Sequence, residues 1–338
     1  MKISRPVRIF AWALIIASFP MWVIAITATP FFPLPAAQRV VAATVIAASG
    51  EAMFWIGGAI LGAAVVAKFR RPKVTTGRSY AGKRVAVLGA NGGLGAAIAH
   101  ALRREGAEVV ALARDPARLD EPLRDGGIAA DVTSPESLAA AASRLGPVDT
   151  LVVATGLDVR KDLAAHSTAE IEAVLGVNLA GTILAVQAFL PMVRDGGTIG
   201  VLGGFGDGRL ALPYHTVDVA SRAGVAGFCE AMNRELPLEG RDVRLSYICP
   251  APADTEAERP YGDLWTKLGS PPVPPERVAD FVIATLLQRR GVVVMGRRNW
   301  LITWVDRLSP WAADRLGLRR AGRLLRDAFS STAPPPGA

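Results

Sequence analysis

Only two of the 338 residues are cysteine and only three are histidine. Cys229 and Cys249 have no CxxC or Cys/His spacing around them. A disulfide framework is thereby excluded, and the two thiols read as small buried residues of a reducing compartment. His100, His166 and His215 are too few and too scattered for a histidine metal site. Charge is also thin, at 20% of residues against 51% hydrophobic, with a mean hydropathy of +0.30. That balance is high for a wholly soluble chain. Acids are almost missing from the first 80 residues, where Glu51 stands alone against nine Lys or Arg. The last 50 residues hold ten Arg and three Asp, whereas residues 81–288 hold 26 acids and 19 bases. A nucleic-acid binder would carry its basic patch on the folded domain. Here the domain is acidic between basic ends, which excludes nucleic acid as the expected partner and suits an anionic membrane surface.

Two long apolar runs follow the basic start. Residues 9–29 are almost wholly apolar, and about 20 residues at 1.5 Å rise cross a hydrocarbon core of about 30 Å. Pro20 is expected to kink this helix, and the prolines of the 29–35 loop to end it. The second run, 40–67, ends on a Lys/Arg cluster, with only Arg39 in the intervening loop. The positive-inside rule then puts both chain ends in the cytoplasm, in a multi-pass protein of the cell's inner (plasma) membrane. A cleaved signal peptide is the rival reading of the first run. With the second span at about residues 50–67, Glu51 is expected at the outer interface. Residues 71–80 read as a linker, closing a membrane anchor over 1–80.

From residue 82 the pattern changes. Strand-like runs at 83–89, 108–112, 127–130 and 148–154 alternate with helical stretches, the order of an α/β fold with a doubly wound parallel sheet. The first strand runs into Gly89-Ala-Asn91-Gly-Gly93-Leu94-Gly95 and an alanine-rich helix. Glycines at such a turn let the backbone approach a pyrophosphate at the helix N-terminus. This G-x-x-x-G-x-G spacing resembles the short-chain dehydrogenase/reductase family, and the resemblance continues to residue 296. Asp131-Val132 after the third strand resembles the adenine-binding pair. Leu151-Val-Val-Ala-Thr-Gly156 keeps the glycine of L-V-N-N-A-G without its asparagines. Asn178 matches the helix asparagine that holds a structural water, and Pro250-Ala-Pro-Ala-Asp-Thr255 matches P-G-x-V-x-T. The resemblance implies a Rossmann-like domain over 81–296 and a nicotinamide cofactor. Ala113-Arg114 replaces the acid of NAD-binding members at the end of the second strand, so NADP(H) is expected, with Asp115 beside it as a counterweight.

Family members reduce a carbonyl with a serine and a Y-x-x-x-K pair. By register, Asp218 falls on the tyrosine and Arg222 on the lysine, and Gly203 or Gly204 falls on the serine. An aspartate near its usual pKa of about 3.9 has no proton to give at neutral pH, and Arg222 one turn later is expected to keep it ionised. An ordinary intrahelical ion pair is the plain reading. Tyr214, one turn before Asp218, is the expected substitute acid, with Asn178 and Arg222 in support and His215 as its neighbour. Packing at the helix start is the alternative for Tyr214. Residues 297–338 mix Trp, Leu and Arg before a Pro-rich tail at 331–338. They read as a basic helix in the bilayer interface, a lid over the cleft, or an oligomer contact. The expected partners are thus a lipophilic small-molecule substrate, membrane lipids and further copies of the chain in a homo-oligomer. Two functions stay open: an NADP-dependent oxidoreductase, and a non-catalytic NADP(H) sensor or scaffold.

Overall fold

The computed structural model describes residues 5–69 and 79–330. The linker placed at 71–80 falls almost wholly outside them, as does the tail at 331–338. The chain divides into two compact units, Met1–Gly77 and Arg78–Ala338.

The first unit is a hairpin of α1 (Arg5–Thr27) and α2 (Ala36–Phe69), joined by a turn at Thr29–Phe31. α1 continues through Pro20. α2 starts directly after Pro35, so its apolar window runs Ala36–Ala59 and encloses Glu51. Glu51 lies within that window, and its Oε1 accepts from Trp55 Nε1 at 3.4 Å. The helices meet along small residues spaced by sevens. Ala11, Ser18 and Ala25 are buried on α1, against buried Gly50 and Gly57 on α2. A Cβ at 57 would come 2.7 Å from Ala11 O, too close for any side chain. Apolar packing gives no hydrophobic gain between helices in lipid, so close backbone approach along small residues is what holds such a pair. The outer surface is Ile9, Phe10, Trp12, Ile16, Phe19 and Ile26, all exposed.

The second unit is built on a seven-stranded parallel sheet of order β3-β2-β1-β4-β5-β6-β7. Its strands are β1 (Arg84–Leu88), β2 (Glu108–Ala113), β3 (Ile128–Ala129), β4 (Val148–Val153), β5 (Val193–Leu202), β6 (Arg244–Cys249) and β7 (Val292–Val294). The helices between them are α3 (Gly93–Arg104), α4 (Glu121–Arg124), α5 (Pro135–Leu145), α6 (Thr168–Leu175), α7 (Gly181–Phe189), α8 (Thr216–Glu235), α9 (Gly262–Lys267) and α10 (Pro275–Leu287). Alternation along each strand fills both faces. Ala86 and Leu88 join the core under α5, α7 and α8, and Val85 and Val87 join the one under α3 and α10. A third apolar stretch long enough for a span, Thr168–Met192, lies here as α6 and α7. Its Val174, Val186 and Phe189 belong to the core on the sheet, which accounts for its hydropathy.

The chain ends in α11 (Arg297–Leu308), α12 (Pro310–Ala313) and α13 (Arg319–Phe329), all within the second unit. Leu325 and Phe329 of α13 are buried with Ala313, Leu210 and Leu212, and Tyr214, Tyr261, Leu264 and Leu268 pack on them. The C-terminal segment thus lays its apolar face on the loops that follow β5 and β6. Its Arg319, Arg320, Arg323 and Arg326 stay exposed.

A Cβ at position 50 would stand 3.2 Å from Met21 Cβ, so a small outward shift brings the pair to the roughly 3.5–4.5 Å a disulfide needs. Met21→Cys with Gly50→Cys should cross-link on mild oxidation of membranes, scored as proteolytic fragments joined without reductant. Gly57→Leu should abolish that cross-link by pushing the helices apart.

Candidate active site

Strand order reverses between β1 and β4, which places the cleft of an open α/β sheet outside their carboxyl ends. A cleft of about 330 Å³ lies there. Its walls come from four strand ends: Gly92–Gly95 after β1, Ala154–Gly156 after β4, Gly203–Phe205 after β5 and Pro250–Thr255 after β6. The glycine loop is shaped by backbone crowding. Gly89 takes φ +88°, and a Cβ at Gly95 would sit 2.0 Å from Gly89 O, so only hydrogen fits between turn and helix. Thr255 faces Gly93 across the loop, and the buried Thr155 Oγ1 on the same wall has no partner among the described residues. A side-chain-free cradle at a helix N-terminus, with a spare hydroxyl beside it, fits a dinucleotide's phosphates.

The outer cofactor positions fit too. Arg114 is exposed at the end of β2, while the carboxylate of Asp115 caps the next turn by accepting from Ala117 N at 3.0 Å. The expected counterweight is therefore engaged in that cap. Asp131 accepts from Thr133 N and Oγ1 at 2.9 and 2.7 Å, which hold its carboxyl below the usual range with a smaller push from Arg114. Val132 is buried in the sheet's core, and Asn91 is exposed on the loop.

On the other side of the cleft stands α8. Asp218 and Arg222 both line it and pair through Arg222 Nε and Asp218 Oδ1 at 3.1 Å. Both are largely buried, so this is no surface pair. Burial pushes the Asp218 carboxyl above its ordinary value against the pull of Arg222, a correction to the expectation that Arg222 would dominate. The Arg222 guanidinium reaches over Gly156, where a Cβ would meet Nη2 at 2.8 Å. Asn178 sits in a π-helical turn, Gly176–Ala180, a bulge frequent at functional sites. Its Oδ1 accepts from Leu157 N and its Nδ2 donates to Leu157 O, both at 2.8 Å, and Nδ2 also donates to Asp218 Oδ1 at 3.1 Å. Asn178 thus clamps the loop after β4 directly onto α8.

The two glycines at the serine register differ. A Cβ at Gly203 would lie 2.5 Å from Tyr247 Cζ, so the fully buried Tyr247 ring already fills that space. At Gly204 the nearest atom would be Arg222 Cγ at 3.3 Å.

Tyr214 and His215 part ways. Tyr214 adopts φ +65°, a left-handed conformation costly for a side chain with a Cβ. That twist sends Tyr214 into the α13 cluster and turns His215 into the cleft wall. Tyr214, expected to be the substitute acid, is not among the residues lining the cleft, and the packing alternative is what the geometry shows.

Sequence reasoning missed the cleft's outer end. Arg160 is held by Asp158 and by Glu258, whose Oε2 accepts from Arg160 Nη1 at 3.1 Å and from Trp265 Nε1 at 2.8 Å. Burial opposes the Arg160 charge, but the two carboxylates more than offset it and raise its pKa. The guanidinium lies within 6 Å of the Tyr261, Trp265 and Phe329 rings. These residues come from separate loops and the C-terminus, with no spacing to signal them.

Gly203→Ser should destabilise the protein by about 1–3 kcal/mol through overpacking, whereas Gly204→Ser should cost much less. Thermal melts of the two variants in one detergent check the contrast.

A family model described as short chain dehydrogenase matches residues 83–263. The ketoacyl reductase HetN of Nostoc sp. is 28% identical over 259 residues, covering 70% of this chain and 88% of that protein. The 3-dehydrosphinganine reductase TSC10B of Arabidopsis thaliana is 30% identical over 188 residues, 52% of this chain and 55% of its own length. A short chain dehydrogenase from Burkholderia cenocepacia, solved in complex with NADP, superposes with a TM-score of 0.62 at 29% identity, covering 71% of this chain and 99% of its own. With that match, the glycine cradle at the β1–α3 turn and the cleft at the β1/β4 reversal, the chain belongs to the short-chain dehydrogenase family, whose members bind nicotinamide cofactors.

Proposed function

We propose that this chain is a membrane-anchored, NADP(H)-dependent oxidoreductase interconverting a lipophilic carbonyl and its alcohol. One observation carries the reading. A single cleft joins the glycine cradle to a chamber walled by Phe205, Leu210, Leu212 and Trp265, with α13 packed behind it. The names of two relatives, a 3-dehydrosphinganine reductase and an estradiol 17-beta-dehydrogenase of Rattus norvegicus, support a greasy substrate class. The exposed apolar surface of the α1–α2 hairpin supports insertion in the inner membrane. The basic flanks support a multi-pass topology with the α/β unit in the cytoplasm.

When bound, the nicotinamide supplies or removes hydride. The chain's own residues do the rest. Gly89, Asn91, Gly93, Leu94 and Gly95 would cradle the pyrophosphate, and Asp131, Val132, Gly156 and Thr255 would flank the remainder. Arg114 would meet a 2′-phosphate, and Arg222, held by Asp218, would reach the nicotinamide ribose beside Gly156. Asn178 holds Asp218, which in turn holds Arg222. The burial of the Asp218–Arg222 pair favours a second reading, in which cofactor binding persists without turnover as a sensor or scaffold.

Fluorescence titration of the full-length protein should show NADPH bound tighter than NADH, with Arg114→Ala weakening NADPH about tenfold, or 1.4 kcal/mol. Equal affinities would remove Arg114 from this role, and no binding of either would end the reading. Tyr214→Phe should leave turnover within about twofold, since its hydroxyl is off the cleft wall. For the topology, a cysteine at position 33 should react with an impermeant maleimide on intact cells, and one at Gly240 should not.

A further inference from the structure

His215 has a buried side chain, 5% exposed, on the cleft wall at the mouth of α8. Its Nδ1 lies 3.0 Å from Pro213 O. A carbonyl oxygen only accepts, so Nδ1 must carry the hydrogen of that bond. The neutral ring therefore presents Nε2 as a bare acceptor, and Nε2 is buried with no partner among the described residues. Leaving a buried acceptor unsatisfied costs about 1–3 kcal/mol, a cost that persists only where something else completes the site. An O–H donor, from a water or from a substrate hydroxyl, would complete it.

The surroundings suit an imidazole that changes charge. Trp265 and Phe329 ring centroids stand 6.4 and 5.4 Å from it, an apolar setting that disfavours the charged ring. Among charged groups, Asp218 on its own helix and Asp158 on the loop after β4 favour the imidazolium, while Arg160 opposes it. Burial outweighs these and pushes the ring below its usual 6.5, so the neutral, proton-accepting form prevails near pH 7.

We infer that His215 Nε2 is the group that exchanges the proton with the substrate oxygen, replacing the tyrosine whose register Asp218 occupies. This rests on the oxidoreductase reading above. In the oxidation direction the substrate O–H bond breaks and its proton passes to Nε2. The carbinol C–H leaves as hydride to the oxidised nicotinamide, the co-reactant, and a C=O bond forms. The alcohol is oxidised, the nicotinamide is reduced, and the imidazolium returns its proton to solvent as product leaves. Reduction runs the same path backwards, with the imidazolium as acid.

The probe is 2-dodecanol with NADP+, using the full-length protein in detergent micelles. Wild-type kcat/KM should fall as pH drops through a value below 6.5, because the protonated ring cannot accept. His215→Gln should lower kcat by 10²–10⁴-fold and lose that limb. A His215→Gln enzyme within threefold of wild type, or one keeping the limb, overturns the assignment. A second readout needs no turnover. In ¹⁵N-imidazole spectra, where three histidines are resolved by comparison with His215→Gln, the proposal expects a bare Nε2 at pH 7.5 that shifts when 2-dodecanol and NADP+ are added. A protonated Nε2, or one unmoved by the additions, refutes it. Wild-type silence in the kinetic assay counts against the oxidoreductase reading, and the spectra then decide the role of His215 separately.

Discussion

A buried carboxylate beside a buried guanidinium is the constraint around which the site is arranged. Taking two charges out of water costs several kcal/mol each, and their attraction offsets this only with good geometry and further hydrogen bonds. Asp218 and Arg222 obtain that geometry from one helical turn, and the further bonds from Asn178 Nδ2 on Asp218 and from Leu202 O, which accepts from Arg222 Nη1. Because Asn178 also grips both backbone polar groups of Leu157, the pair fixes the loop after β4 to α8. Through Leu157 and Leu202 O the network also ties α8 to the chain at the ends of β4 and β5.

The tie has consequences nearby. The Asp218 carboxylate is committed to two donors, Asn178 Nδ2 and Arg222 Nε. The left-handed turn at Tyr214 then presents the next residue, His215, to the cleft. Tyr247 fills the volume at the serine register, where Gly203 and Gly208 leave no side chain against its ring. At the outer end Arg160 is satisfied by two carboxylates and capped by aromatic rings, the last from α13. The C-terminal segment packs its apolar face behind the cleft, on Leu210 and Leu212, and shows its arginines to the outside.

Much of the fold was legible because its signals are local. β-branched runs, a glycine turn and alternation at short spacing specify parallel strands wherever they occur, and all the expected strands were found. The glycine turn was legible for the same reason, since Gly89 to Gly95 are contiguous and run from the end of β1 into the first residues of α3. What failed depends on contacts distant in sequence. Tyr214 and His215 are adjacent, and only the positive φ at Tyr214 decides which one faces the cleft. The shift at Asp218 follows from burial, which no helical spacing reports. The Arg160 cluster joins residues about 100 apart and then reaches the C-terminus. The seam of Ala11, Ser18 and Ala25 against Gly50 and Gly57 has a readable period, yet small residues in an apolar run look like ordinary hydropathy.

The claim that most of the account stands on is that Asp218 and Arg222 act as one structural unit. A double-mutant cycle of Asp218→Ala, Arg222→Ala and the pair, read by thermal denaturation of the full-length protein in detergent, tests it directly. Each single change should cost about 3–5 kcal/mol by stranding the other charge, and the double change should cost clearly less than the sum, with coupling of about 0.5–3 kcal/mol. Small additive losses would contradict the account and return both residues to the status of an ordinary intrahelical pair.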